Sequence, residues 1–366
     1  MLSSAKLESR RFFFFIVAIA LIGFLIFSSA ALGVLGDRGL GYNRTIWNQF
    51  SALLLALVVL IVSARIPYHY WQKIAIWIFA ISLILTLLVF VPGIGHKAGG
   101  AERWLSLGGR TIQPSEFLKL GLIIYLAAWL AKIRERVTTW ESGFFPFVLF
   151  VGVVGVTLIA QPDIGTFSVT FTAATAMFFA AGAKWRQLLA LGLVAIIGFS
   201  IILALRPYAR ERVYTFLSPN QEVSSDSWQI NQSLIAIGSG GLTGRGFGQS
   251  LQKFVYLPQP TGDSVFAVAA EEFGFLGSLG LIVAFIVFAL WGLRIAGRAP
   301  DRFSRLLVVG LIVLMTTGAF INMASMLGLF PLTGIPLLFV SHGGSALLFS
   351  MLGCGIILNI SRSSKA

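Results

Sequence analysis

Apolar runs long enough to cross a bilayer recur along this chain from Phe12 to Ile360, and no other feature limits the fold as strongly. A hydrocarbon core about 30 Å thick takes roughly 20 helical residues to span. Inside it, backbone N–H and C=O groups must be satisfied within the segment, which leaves helices as the solution for runs of this length. The expected fold is therefore all-α integral membrane, a polytopic bundle of about ten transmembrane helices. Their approximate extents are 12–35, 46–64, 72–92, 115–131, 143–160, 164–183, 187–206, 263–293, 304–328 and 336–360, within a single domain covering 1–366.

Charge decides orientation. The chain is 57% hydrophobic and 11% charged, yet its formal net charge is +13. In a soluble protein that excess would point to nucleic acid; here the bases lie in turns between spans and form no contiguous basic and aromatic face, so nucleic-acid binding is excluded. The turns Arg65–Lys73, Lys132–Glu141, Lys184–Arg186 and Arg294–Arg305 are all rich in Lys and Arg. By the positive-inside rule they face the cytoplasm at every alternate turn, which places both termini inside. Lys6, Arg10 and Arg11 precede a first apolar run that is too long for a signal-peptide core of 7–15 residues, so that run is read as an uncleaved span. The lone cysteine, Cys354, lies in an apolar run and is read as packing.

The longer polar segments collect on the opposite, extracytoplasmic side. One runs from Gly93 to Gln113; the other, 207–262, is a large loop between the seventh and eighth spans. Trp228, Leu234, Ile235 and Ile237 follow Asp226 in an amphipathic pattern, which predicts a short helix capped by Asp226 in an ordered loop at the membrane interface. The glycine-rich run Gly238–Gly248 lacks the spacing of a phosphate-binding loop and follows no predicted strand, so it is rejected as a nucleotide site. His69, His96 and His342 are too scattered to form a metal site.

Acids inside or beside apolar spans are costly, and each is a functional-site hypothesis by default. Asp263 opens the eighth span, Asp163 sits between the fifth and sixth, and Glu116 opens the fourth, all at the outer surface. So do Arg103, Arg110, Arg210, Arg212, Arg245 and Lys253. Such a set suits a substrate that carries phosphate and an exchangeable proton: bases hold the anion and an acid takes the proton. The plainer alternative is a scatter of interfacial charges, helix starts and snorkelling side chains. Glu116 and Lys119 share a helix face and can pair, either as structure or as the wall of a cavity. Asp163 reads equally as a turn and N-cap residue. Glu271 and Glu272 lie roughly 12 Å below Asp263 at 1.5 Å per residue, pointing in different directions, and a structural pairing is expected for at least one of them. On the outer face nucleotide-activated donors are scarce, whereas a lipid-linked diphosphate would lie in a groove between helices.

At these residues the sequence resembles the SEDS family (shape, elongation, division and sporulation) of FtsW/RodA type. The motifs are GGAERWLSLGGRTIQPSEFLKL, AQPDIGT, ARERV, IGSGGLTGRGFGQS, YLPQPTGDSVFAVAAEEFGFLG and GIPLLFVSHGGSALL, and they run through nearly the whole chain. The resemblance implies ten spans in the bacterial cytoplasmic membrane and a peptidoglycan glycosyltransferase that polymerises lipid II on the outer face. Its implied partners are lipid II, undecaprenyl-diphosphate-linked glycan and a class B penicillin-binding protein that acts as transpeptidase. It also implies that Asp263 is the essential catalytic acid, with Glu116, Lys119 and Asp163 as its companions and Ser341 among the cavity residues. No cofactor is required by this reading; a divalent cation, magnesium or manganese, on the lipid diphosphate stays open. Many members read His-Thr-Asp-Phe at Thr261-Gly262-Asp263-Ser264 and Ser-Tyr-Gly-Gly at Ser341-His342-Gly343-Gly344, but the acid and the glycines stay in place. Asn359-Ile360-Ser361-Arg362 is more like the FtsW division branch than RodA. Two rivals share the architecture, a transporter that flips lipid II and a non-catalytic scaffold for cell-wall enzymes.

Overall fold

A computed structural model describes residues 2–36, 40–98, 101–107, 110–217 and 225–363. In chain order the helices are α1 (Leu2–Ala30), α2 (Leu40–Ser63), α3 (Tyr68–Lys73), α4 (Ala75–Leu87), α5 (Pro114–Ile133), α6 (Phe145–Ala160), α7 (Ile164–Ala180) and α8 (Trp185–Leu205). The rest are α9 (Pro207–Leu217), α10 (Ser225–Ser239), α11 (Gln252–Val255), α12 (Val265–Gly297), α13 (Arg302–Met326) and α14 (Gly344–Arg362). Among the described residues, seven helices are long and apolar enough to cross a membrane, and Ala75–Phe90 and Ile164–Ala180 are shorter apolar helices. With α5, whose 20 residues carry Glu116 and Lys119, they account for the ten expected spans. The protein is a multi-pass membrane bundle.

Helix α13 is the hub. It packs against α5, α7 and α12, and Leu306, Leu307, Leu311, Ala319 and Met323 are enclosed. Its start is fixed chemically: Asp301 Oδ1 accepts from Ser304 N at 2.9 Å and the Ser304 hydroxyl reaches back to Asp301 N at 3.3 Å, a reciprocal cap. By contrast α8 lies at the periphery, with Gln187 and Leu191 its buried residues. Helix α14 closes the other flank against α1, α2 and α5.

The basic turns meet at one end of the bundle. Arg302 donates to the carbonyls of Ala181 at 2.7 Å and Arg134 at 3.2 Å, and Tyr68 Oη donates to Asp301 at 2.5 Å. Both ends of the chain share this face: Arg298 pairs with Glu8 at 2.7 Å, and Arg362 lies 3.4 Å from the Ser9 hydroxyl. Asp263 stands at the far end of α12 from Arg294 and Arg298, as the parity of the spans requires.

Four features depart from the sequence reading. The segment before α5 folds into an antiparallel sheet, β1 (Gly95–Ala98), β2 (Ala101–Leu107) and β3 (Arg110–Ile112), in the order β1-β2-β3, so the fold is all-α only in its spanning part. The last span begins at Gly344, eight residues later than expected from 336, and 331–343 is irregular. Pro331 and Pro336 lack the N–H a helix needs, and Gly334 has φ +67°. The large loop holds three helices rather than one, and Asp226 lies in the first turn of α10, where it pairs with Arg212 at 3.4 Å instead of capping.

The fourth departure is a break in α12. Gly274 has φ +67°, and the helix is interrupted there. The glycine-rich run docks into the gap: Arg245 and Gly246 donate their N–H groups to the Glu271 and Glu272 carbonyls, each at 3.0 Å. On the other side Phe275 and Leu276 donate to the Gly241 and Leu242 carbonyls at 2.8 and 3.1 Å. A broken helix in a membrane must have its freed backbone groups re-satisfied, and this loop does so. A Cβ on Gly274 would collide with the Gly244 backbone, so the close approach needs glycine on both sides.

Candidate active site

Asp263 lies in the turn 261–264 ahead of α12, with Ser264 at the N-cap position. Three elements hold that turn. His342 N donates to the Thr261 carbonyl at 2.6 Å, Asn322 Nδ2 to the Asp263 carbonyl at 2.8 Å, and Gln229 Nε2 to the Ser264 hydroxyl at 2.9 Å. Of the carboxylate oxygens, Oδ1 is buried with no hydrogen-bond partner. Burial pushes the Asp263 carboxyl above the usual carboxylate range, while the Gln229 amide, the turn's own N–H groups and the Arg212 guanidinium pull the other way. A carboxylate shifted in that direction is a stronger base than a hydrated one.

The irregular stretch 331–341 forms a wall beside it. Its carbonyls are claimed by side chains: Pro331 by Ser325 Oγ at 3.0 Å, Leu332 by Arg212 Nη1 at 2.7 Å, and Ile335 by Asn322 Nδ2 at 2.8 Å. Ser341 Oγ accepts from Leu337 N at 2.7 Å. Such pairing is what allows non-helical backbone at membrane depth. Two cavities lie on opposite sides of this wall and of α7. One is a wide apolar groove between α6, α7 and α8, reaching Arg212, Leu332 and Thr333. The other is a narrow cleft lined by Glu116, Lys119, Thr166, Ser341 and residues 335–339. Gly334 falls between the two, and a Cβ there would sit 4.0 Å from Asp263 Oδ2.

Glu116 and Lys119 pair at 2.7 Å, with side chains 6% and 13% exposed, and they do so in the wall of the cleft. Structure and cavity wall are thus one answer rather than two. Asp163 caps α7, its Oδ1 accepting from Thr166 N at 3.2 Å, while its buried Oδ2 is without a partner. Arg103 braces the same turn by donating to the carbonyls of Gln161, at 2.9 Å, and Pro162. Arg212 lies over the Tyr208 ring at 4.4 Å, beside Asp226, and is the base nearest the wall. Arg210 is exposed on α9. The Arg110 side chain lies outside the described residues.

Two expected substrate-facing bases are placed elsewhere. Lys253 is fully enclosed, its Nζ 2.6 Å from Glu272 Oε1 and 3.1 Å from Ser29 Oγ. Arg245 pairs with Glu271 at 3.6 Å. Glu271 also accepts from Ser250 Oγ at 2.6 Å and from the N–H groups of Leu251 and Gln252 at 3.0 and 3.3 Å. Both acids are therefore spent on one turn of the large loop, and both bases neutralise them there. The reason is burial: neither carboxylate could stay charged at that depth without a partner. Residues that the sequence did not single out are Asn322, Gln229, Tyr208 and Gly334. Of these only Asn322 carried a signal, as an amide in the middle of an otherwise apolar span.

Comparison with known proteins places this arrangement in context. Residues 10–366 match the family of cell cycle proteins comprising FtsW, RodA and SpoVE. The chain is 40% identical over 314 residues to a probable peptidoglycan glycosyltransferase FtsW of Geobacter sp. (strain M18), covering 86% of each. It is 36% identical over 311 residues to stage V sporulation protein E of Bacillus subtilis (strain 168), covering 85% of each. Among solved structures it resembles a chain of a peptidoglycan synthase complex with a TM-score of 0.81 at 28% identity, covering 96% of this chain and 97% of that one. It resembles the rod shape determining protein RodA of Thermus thermophilus with a TM-score of 0.71 at 27% identity, covering 97% of both.

Proposed function

Because this chain belongs to the FtsW, RodA and SpoVE family of cell cycle proteins, we propose that it is a peptidoglycan glycosyltransferase that polymerises lipid II. The observation that carries the reading is the setting of Asp263, whose Oδ1 is buried without a hydrogen-bond partner beside Gly334, the residue between an apolar groove and the cleft that holds Glu116 and Lys119. The groove has the apolar lining for a polyprenyl chain, and Arg212 in its wall meets the diphosphate. Asp263 takes the proton from the 4-hydroxyl of the acceptor sugar as that oxygen attacks the anomeric carbon of the donor. A carbon–oxygen bond forms to the acceptor, the bond to the diphosphate breaks, and its electron pair leaves with the polyprenyl diphosphate. Arg212, held in place by Leu332 and Tyr208, offsets the charge of that leaving group.

Among the described residues no group of three His, Cys, Asp or Glu side chains could hold a metal ion by itself. The unpartnered Oδ2 of Asp163 would give such an ion one ligand, with diphosphate oxygens supplying the rest. A magnesium or manganese ion there would offset the leaving-group charge. The positive-inside rule assigns the face with Arg134, Arg298 and Arg302 to the cytoplasm and Asp263 to the outer surface. On that surface Leu242, Phe247, Leu251 and Val255 are exposed, a surface suited to a class B penicillin-binding protein that cross-links the product.

Purified protein is supplied with lipid II in detergent, with and without the transpeptidase, and glycan strands are measured. Wild-type protein forms polymer and Asp263→Ala does not. Polymer formed by Asp263→Ala at an unchanged rate overturns the assignment. If labelled lipid only redistributes between leaflets of a vesicle, the protein is a transporter.

A further inference from the structure

Asp263 Oδ1 is unpartnered, but the backbone that carries it is tethered through a residue in another helix. An amide nitrogen carries two hydrogens, and Asn322 uses both, on the Asp263 carbonyl and on the Ile335 carbonyl, each at 2.8 Å. Asn322 is 1% exposed and belongs to α13, the most enclosed helix. Ile335 adjoins Gly334, whose backbone faces Asp263 Oδ2. The spacing between acid and wall is therefore set by this side chain together with the His342 N–H, which ties the end of the irregular segment to the Thr261 carbonyl at 2.6 Å. Ser325, on the same helix, offers a comparison: its hydroxyl holds Pro331 of the same wall at 3.0 Å, but its two hydrogen-bond partners, Pro331 and Ile321, lie away from the acid's turn.

We infer that Asn322 is a positioning residue: by joining the Asp263 carbonyl to that of Ile335, it fixes the gap between the carboxylate and the Gly334 backbone that an acceptor hydroxyl must enter. The inference rests on the reading of Asp263 as the base. Reacting atoms must approach to about 3–3.5 Å, and a misplacement of about 1 Å can cost 10²-fold in rate. A tether made of two hydrogen bonds to fixed carbonyls gives that control. A packing role alone would alter stability and leave the kinetics of folded protein unchanged.

Four full-length variants, Asn322→Ala, Asn322→Asp, Ser325→Ala and Asp263→Ala, are compared by steady-state polymerisation of lipid II across pH and by thermal unfolding. In Asn322→Ala, kcat falls about 10- to 100-fold while KM stays within about twofold. The acid limb of its pH profile moves to lower pH, because a loosened turn admits water to the carboxylate. Asn322→Asp keeps the volume but turns an oxygen toward two carbonyls, so it is at least as slow. Should the alanine variant not be recovered folded, the aspartate variant carries the same kinetic test. Ser325→Ala keeps the wild-type pH profile. A wild-type rate in either Asn322 variant, or the same pH shift in Ser325→Ala, overturns the inference. Activity in Asp263→Ala would remove the base itself; an inactive Asp263→Ala beside a fully active Asn322→Ala rejects Asn322 alone.

Discussion

Lys253 and Glu272 face each other at 2.6 Å with side chains 0% and 1% exposed, and Ser29 of α1 donates to the same carboxylate at 2.6 Å. Removing one member of such a pair strands the other charge, at a cost of about 3–5 kcal/mol, whereas replacing both by apolar groups is often neutral. Lys253→Met or Glu272→Gln alone is therefore expected to lower the unfolding temperature in detergent sharply. The double variant Lys253→Met/Glu272→Met recovers most of it. Equal losses in all three would mean that the two charges do not depend on each other.

The Glu116–Lys119 pair, at 2.7 Å, differs because it borders a cleft. Either residue changed alone leaves an unpaired charge, while exchanging the two keeps the pair. The exchanged protein Glu116→Lys/Lys119→Glu should fold better than Glu116→Ala or Lys119→Ala, measured by yield of monodisperse protein and by thermal unfolding. A cycle of the four proteins gives a coupling of about 0.5–3 kcal/mol. A coupling of zero would show the two side chains to be independent.

The raised Asp263 carboxyl makes two predictions of definite sign. As a base it must be ionised, so kcat falls as pH drops through its folded value, which lies above the usual carboxylate range. For stability, the native protein holds the proton more tightly than the unfolded chain, whose value is about 3.9. The contribution of this group is complete below that unfolded value and is lost as pH rises through the folded one. Asp263→Asn has no charge to bury; it should be inactive, and at neutral pH at least as heat-stable as the parent. A variant less stable at neutral pH than at pH 4, relative to the parent, contradicts the sign.

Two glycines of α12 should respond oppositely to alanine. At Gly274 a Cβ meets the Gly244 backbone in a left-handed conformation, so Gly274→Ala strains the chain and pushes the loop out. At Gly280 a Cβ enters open space, and alanine there improves helix propensity by up to about 1 kcal/mol. Thermal unfolding and limited proteolysis of residues 240–253 separate the two. A stable Gly274→Ala with a protected loop would mean that the break does not need glycine.

The spans were legible because twenty apolar residues in a row have few alternatives, and their parity put Asp263, Asp163 and Glu116 on one side. What the sequence hid was backbone that leaves the helix while staying apolar. Residues 331–343 and the break at Gly274 have the composition of their neighbours, and only the side chains and loops that satisfy their carbonyls reveal them. Lys253 misled for a related reason. A base in a polar loop reads as solvated, and nothing in the local sequence reports that the loop folds down onto Glu272. Asn322 was passed over because a single amide in a span reads as contact between helices, and its partners are about sixty and thirteen residues away.

The interruption at Gly274 divides α12 mechanically. Residues 265–273 are joined to the loop by two N–H donations at Glu271 and Glu272, by the ion pairs of Lys253 and Arg245, and by the turn at Ser250. The stretch from Phe275 to Gly297 touches the loop at its first turn, through the N–H groups of Phe275 and Leu276, and packs onward against α13. Asp263 therefore rides on a short lever whose handle is the exposed loop and whose fulcrum is a single glycine. A force applied to Leu251 or Val255 from outside reaches the carboxylate within about three helical turns, without having to bend a transmembrane helix.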